Sequence, residues 1–201
     1  MLAPTVRRHI QQGLRALLPL WAMLWVLMVL PLLAQPALAQ GVELATLQAS
    51  KSDGALNLDF VARINLPRAV EDALQRGVPI YFVAEAQLYR NRWYWRDERV
   101  ARVSRSWRVA FQPLTSAWRV SLGGLNQSFP SMAEALAAVS RSAGWRLVEL
   151  SQLDFDKSFY LEFSYRLDTS QLPGPMQFGL GGLGGPGDWA VGASRTLRVE
   201  L

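Results

Sequence analysis

"SFYLEFSYRL", residues 158–167, places Phe159, Leu161, Phe163, Tyr165 and Leu167 on one parity and Tyr160, Glu162, Ser164 and Arg166 on the other. Side chains alternate across a strand, so this spacing predicts a β-strand with one buried face. The same period recurs upstream. "ALNLDFVARI", residues 55–64, sets Leu56, Leu58, Phe60, Ala62 and Ile64 against Asn57, Asp59 and Arg63. "SKSDG" before it holds an Asp53-Gly54 turn back to "VELATLQA", which predicts a hairpin. "VPIYFVAEAQLYR" and "RVARVSRSWRVAFQ" form a long strand pair, "PLTS" a turn, and "AWRVSL" a short strand. A final strand is expected within "DWAVGASRTLRVEL".

Two short helices interrupt the strands. In "NLPRAVEDALQRG", Pro67 suits an early helical position, Val70, Ala73 and Leu74 make an apolar stripe, and Gly77 stops it. "SMAEALAAVS" carries Ser131 and Glu134 at capping-box spacing. "WRLVELSQL", residues 145–153, fits helix or strand by periodicity. Residues 173–187, with seven glycines and three prolines, read as a loop. Strands without a βαβ rhythm predict a mainly β, antiparallel sandwich-like domain with two short helices.

Residues 1–39 read as an export signal. Arg7, Arg8 and Arg15 form a basic start, and an uncharged apolar run spans residues 17–34. Ala37 and Ala39 then stand at the small-residue positions of a cleavage site, which puts the cut before Gln40. The rival reading is an uncleaved anchor over residues 17–34, near the lower limit of roughly 17–25 residues for a span. Either way the expected location is periplasmic, with membrane contact only through this segment. A lipoprotein cysteine is excluded because the chain has no Cys.

Removing the leader would take away three of the 21 basic side chains, none of the 16 acidic ones, and the only histidine, His9. A domain of residues 40–201 then contains neither His nor Cys, so Ser-His-Asp and Cys-His catalysis and imidazole or thiolate zinc sites are excluded. Carboxylates remain. Asp154 and Asp156 in "LDFDKS" would share a face if extended and could hold a hard cation, or they form a polar turn. Glu71 and Asp72 diverge on their helix. "GLGGLGGPG" lacks the Gly-Lys-Ser/Thr ending of a phosphate loop. No catalytic residue, cofactor or metal is assigned.

One segment stands out. Residues 89–109, "YRNRWYWRDERVARVSRSWRV", hold seven arginines, five large aromatics and two acids, a net charge of +5. From Arg99 to Phe111 the odd positions (Ala101, Val103, Trp107, Val109, Phe111) predict an inward face and Arg102 and Arg108 an outward one, roughly 20 Å apart. Arg105 falls on the apolar parity and requires a buried acid, a strand end or a bulge. Arg90, Arg92 and Arg96 share one parity, Trp93 and Trp95 the other. The cations can cover a sheet face, paired with acids such as Asp59, Glu85 or Glu162. They can also dock an anionic partner, an acidic protein or an envelope component, through Trp93, Trp95, Arg96, Arg102 and Arg108. Export removes nucleic acid from the partners.

"LNLDFVARINLPRAVEDALQRGVPIYF", "YRNRWYWRDERV", "YRLDTSQLPGPMQ" and "DWAVGASRTLRVEL", following an apolar leader, resemble a proteobacterial exported family catalogued as domain of unknown function 4390. The likeness runs from about Val42 to Leu201, and the glycine-rich stretch 179–187 departs from it. The resemblance carries no catalytic residues. It implies an envelope accessory or sensory partner, since the family's genes neighbour those of a two-component sensor kinase and an RNA methyltransferase. The expected function is a non-catalytic interaction module of the cell envelope linked to two-component signalling. The alternative is a carboxylate-based hydrolase acting on envelope polysaccharide.

Overall fold

The computed structural model describes residues 41–94, 96–171 and 191–200. Strands β1 (Gly41–Ser52) and β2 (Ala55–Asn65) pair antiparallel. They are joined through Asp53 and Gly54 at φ 51° and 71°. Positive φ at both turn residues matches the twist of the flanking strands, and an Asp-Gly pair tolerates it. β7 (Arg141–Glu149) lies antiparallel on the other side of β2, giving a three-stranded sheet in the order β1-β2-β7.

The second sheet has six strands in the order β6-β5-β4-β3-β8-β9. They are β3 (Ile80–Arg90), β4 (Glu98–Gln112), β5 (Ala117–Leu122), β6 (Leu125–Phe129), β8 (Phe159–Leu167) and β9 (Gly192–Val199). All neighbours are antiparallel. Helices α1 (Arg68–Gln75) and α2 (Met132–Val139) bracket β3 to β6 in sequence. Ser131 Oγ accepts the Glu134 N–H at 3.2 Å, and Ser131 donates to the Glu134 carboxylate at 3.1 Å. The Ser131 half of the capping box read from sequence is formed, while the Glu134 carboxylate meets the Ser131 hydroxyl and not its backbone N–H.

The period-two faces meet between the sheets. Leu56, Leu58 and Phe60 of β2 are buried with Phe82 and Leu88 of β3 and the five apolar residues of β8. Phe60 is the hub: its ring centroid lies 4.9 Å from Phe163, 5.7 Å from Tyr165, 6.2 Å from Trp107 and 6.5 Å from Trp145. Tyr165 is sealed from solvent, and its hydroxyl donates to the Val139 carbonyl at 3.0 Å, tying the end of α2 to β8. Burial pushes that phenol far above its usual range.

Two elements differ from the sequence reading. The ambiguous segment is strand β7 followed by a 3-10 turn, Leu150–Gln152. β6 has no counterpart in that reading, because four of its five residues are exposed and no buried alternation marks it. The leader (with Ala37 and Ala39), Trp95 and the Gly/Pro stretch 173–187 lie outside the described residues. Among the described residues no helix is long and apolar enough to cross a membrane.

The strand directions divide the domain into two ends. The β3–β4 connection, the Asp53-Gly54 turn and the 153–158 connection gather at one end, since Arg90 pairs with Phe159 and Ala55 with Glu149. Gly41, α1 and the β4–β5 turn lie at the other, where Gly41 pairs with Asn65 and Gln112 with Ala117.

Candidate functional site

The arginine and aromatic segment divides into a hairpin tip and a sheet face. β3 ends at Arg90 and β4 begins at Glu98, so residues 91–97 are a connection. The alternation assigned to Arg90, Arg92 and Arg96 against Trp93 and Trp95 therefore carries no facing information there. At the tip Trp93 is 92% exposed and Tyr94 70%, their rings edge to face at 5.1 Å. Arg96 is exposed and has no ion-pair partner among the described residues. Trp95, expected here, lies outside the described residues.

The base of the tip is tied down. Arg90 and Arg92 both pair with the Glu98 carboxylate. The Arg92 N–H donates to Asp97 Oδ1 at 3.0 Å, and the Tyr160 hydroxyl of β8 donates to Asp97 Oδ2 at 2.8 Å. Tyr160 stacks on Tyr89 with centroids 5.2 Å apart, and the Tyr89 hydroxyl donates to Gln87. The Asn91 N–H donates to the Ser158 carbonyl at 3.0 Å, which brings the 153–158 connection alongside. Phe155, 59% exposed, sits in that neighbouring connection. Sequence reading singles out "LDFDKS" for its acids and passes over this aromatic. Asp154 and Asp156 occupy a turn, where Asp154 Oδ1 accepts the Asp156 N–H and the Asp154 carbonyl accepts the Lys157 N–H. The extended arrangement needed for a shared cation does not form. Among the described residues no group of three or more His, Cys, Asp or Glu is placed to hold a metal ion.

These hydrogen bonds set the acidity of the tip. The Arg92 N–H, then Tyr160, hold Asp97 below its usual value; Arg90 is the largest cause of the same shift at Glu98. Burial, then Asp97, push the Tyr160 phenol up to about 12. A carboxyl depressed in the folded state stabilises that state above its unfolded pKa, and the contribution is lost as pH falls through the folded value. Carbon-13 titration should therefore give Asp97 and Glu98 midpoints below the free values of about 3.9 and 4.3. Tyr160→Phe should move Asp97 back up; an Asp97 midpoint that ignores this change contradicts the hydrogen-bonded base.

On the outer sheet face the predicted cations are less available. Arg102 is exposed, but its Nε lies 2.7 Å from Glu85 Oε1, and Gln87 donates to the same oxygen at 2.7 Å. Arg108 points outward and is half-buried. Of the other proposed acid partners, Asp59 accepts the Gly144 N–H at 2.6 Å, and Glu162 makes no ion pair among the described residues. Glu85 and Glu162 both line an open depression of about 320 Å³ with Gln87, Ser164, Ser194 and Thr196.

Arg105 meets none of the three conditions expected of it. It sits mid-strand, in regular register opposite Ala84, and the only shift between β3 and β4 is at Leu88/Tyr89. It faces inward and half-buried: its guanidinium lies 5.0 Å over the Trp145 ring, and Nη1 donates to Ser142 Oγ at 2.7 Å. An aromatic face and a hydroxyl take the place of the missing acid. Burial lowers its pKa from the usual arginine range.

A family described as Domain of unknown function (DUF4390) matches residues 39–196. The chain belongs to the DUF4390 family. The match spans all nine strands except the end of β9, so the hairpin tip, its base and Arg105 all lie within the DUF4390 domain. No curated protein and no solved structure matches the chain.

Proposed function

We propose that this DUF4390 protein is an exported, non-catalytic interaction module of the cell envelope, and that it engages its partner with the β3–β4 hairpin tip. One observation carries the reading: Trp93 and Tyr94 project into solvent from a loop whose base is held by Arg90, Arg92, Asp97, Glu98 and Tyr160. Large exposed aromatics are unfavourable in water unless something covers them, and Trp, Tyr and Arg dominate interface hot spots. A pre-ordered base lowers the entropy lost on binding. The partner chemistry that fits is an apolar pocket for the two rings with an acid beside it for Arg96. A protein linked to two-component signalling is consistent with that chemistry. Export is supported by the basic start at Arg7, Arg8 and Arg15 and the apolar run that follows it.

The polysaccharide hydrolase has one observation in its favour, the shared depression of Glu85 and Glu162. These acids stand side by side on one sheet face, with Gln87 opposite Glu162 and Ser164 opposite Glu85. Glycosidic cleavage uses carboxyls that flank the bond from two sides. Binding is the better-supported function.

The test is made in intact cells with a photo-crosslinking residue in place of Tyr94. A discrete adduct should form in the envelope fraction and disappear on Trp93→Ala. The control replaces Leu114, fully exposed on the β4–β5 turn at the opposite end. The same adduct from both positions, or an adduct in the cytosol, refutes the proposal.

A further inference from the structure

Arg105 is an anomaly that the tip does not absorb. A half-buried cation without an acid is a poor choice for stability, because an apolar side chain of similar length could lie over Trp145 without desolvating a charge. Sites that break a packing rule in this way are where function is expected. The guanidinium has five N–H donors, and one protein acceptor, Ser142 Oγ, is within reach among the described residues.

What lies next to Arg105 narrows the ligand. Trp107 follows it on the same face of β4, about 7 Å along the strand. Trp107, Val120, Leu122, Leu125, Gln127 and Ala138 line a hollow of about 160 Å³ between the inner face of β4, β5 and β6 and helix α2. Its walls are apolar apart from Gln127, and Leu125 is 75% exposed. The volume falls below the roughly 300–1,000 Å³ of pockets for drug-sized ligands, so it suits one alkyl chain and not a two-chain lipid. Arg105 is not part of that lining, but it stands one same-face position from Trp107, and a guanidinium without an acid so placed along the strand is complementary to a carboxylate at the end of an aliphatic chain.

We propose that the inner face of β4 binds a medium-chain alkanoate, with the carboxylate on Arg105 and the chain running past Trp107 into the hollow lined by Trp107, Leu122 and Leu125. This site is separate from the hairpin tip and does not depend on the reading given to it. The probe is sodium octanoate, titrated into the isotopically labelled protein as purified from the producing cells. The arginine Nε–H signal of Arg105 and the indole N–H of Trp107 should shift together and saturate. Octanol, which has the chain without the charge, should bind at least tenfold more weakly. Arg105→Met should lower octanoate affinity at least tenfold while the melting temperature stays level or rises. Leu125→Asp, at an exposed position that the core does not need, should weaken octanoate tenfold by replacing an apolar wall of the hollow with a charge that the chain would have to desolvate. Octanol binding as tightly as octanoate, no saturable shift in the wild type, or unchanged affinity in Leu125→Asp would each overturn the assignment.

Discussion

Phe60→Ala is expected to destabilise the domain by about 3–5 kcal/mol. Phe60 belongs to the three-stranded sheet, yet its ring touches Trp107, Phe163 and Tyr165 of the six-stranded sheet as well as Trp145 of its own. Truncation removes the aromatic cluster's central contact between the two layers and leaves a cavity among four rings. There is no cysteine, hence no disulfide to retain the fold while the core is weakened. Against a typical total of about 5–15 kcal/mol, the loss takes a large share. For a domain of this size it should lower the melting temperature by roughly 10 °C. Urea titration checks the mechanism: the midpoint should fall with an unchanged slope, since the surface exposed on unfolding is nearly the same. Exposed Val61, next along the same strand, provides the contrast. Val61→Ala should stay within about 0.5 kcal/mol of the wild type. If the two substitutions cost the same, the sheets are not held together at Phe60.

The parity that makes Phe60 a core residue was legible without coordinates. β3 and β8 alternate throughout, and β2 does so from Leu58 onward, so period and burial coincide. β7 resisted reading for a physical reason. Its register against β2 shifts twice, and Gly144 takes φ +59° while its N–H turns to Asp59. β6 carries no buried alternation at all, although Gly123 and Gly124 at positive φ mark the hairpin turn that leads into it. The candidate site was legible in composition but not in geometry. Seven arginines in one stretch were visible, whereas their separate environments depend on long-range pairing. Arg102 finds Glu85 because β3 and β4 lie side by side in one register. Arg105 finds Ser142 and Trp145, distant in sequence, only once β7 covers β4. The 153–158 connection, which carries Phe155, meets the base of the tip through one backbone hydrogen bond from Asn91 to Ser158, a contact that leaves no mark in the local pattern.

The double variant Trp93→Ala, Tyr94→Ala is expected to lose partner binding by at least about 100-fold, with a melting temperature within roughly 1 °C of the wild type. Both rings are exposed and contribute nothing to the core, so removing them spares the folded state. In a complex they would be the most buried part of the contact, and hot-spot aromatics each contribute about 2 kcal/mol or more, with tenfold in affinity for about every 1.4 kcal/mol. The arginines of the sheet face cannot provide so clean a test. Arg102→Glu sets a second carboxylate against Glu85, whose side chain is 13% exposed, so repulsion would destabilise the strand pair before any partner is considered. Arg108 is itself half-buried. Arg96→Glu is the suitable charge reversal, because Arg96 is exposed and has no ion-pair partner among the described residues. It should slow association with an acidic partner more than it speeds dissociation, and the difference should shrink as salt is raised. The aromatic double variant should instead act mainly on dissociation. Kinetic measurements with the partner recovered by crosslinking at position 94 separate the two effects. A double variant that binds as tightly as the wild type would move the interface away from the hairpin and leave Trp93 and Tyr94 without a role in recognition.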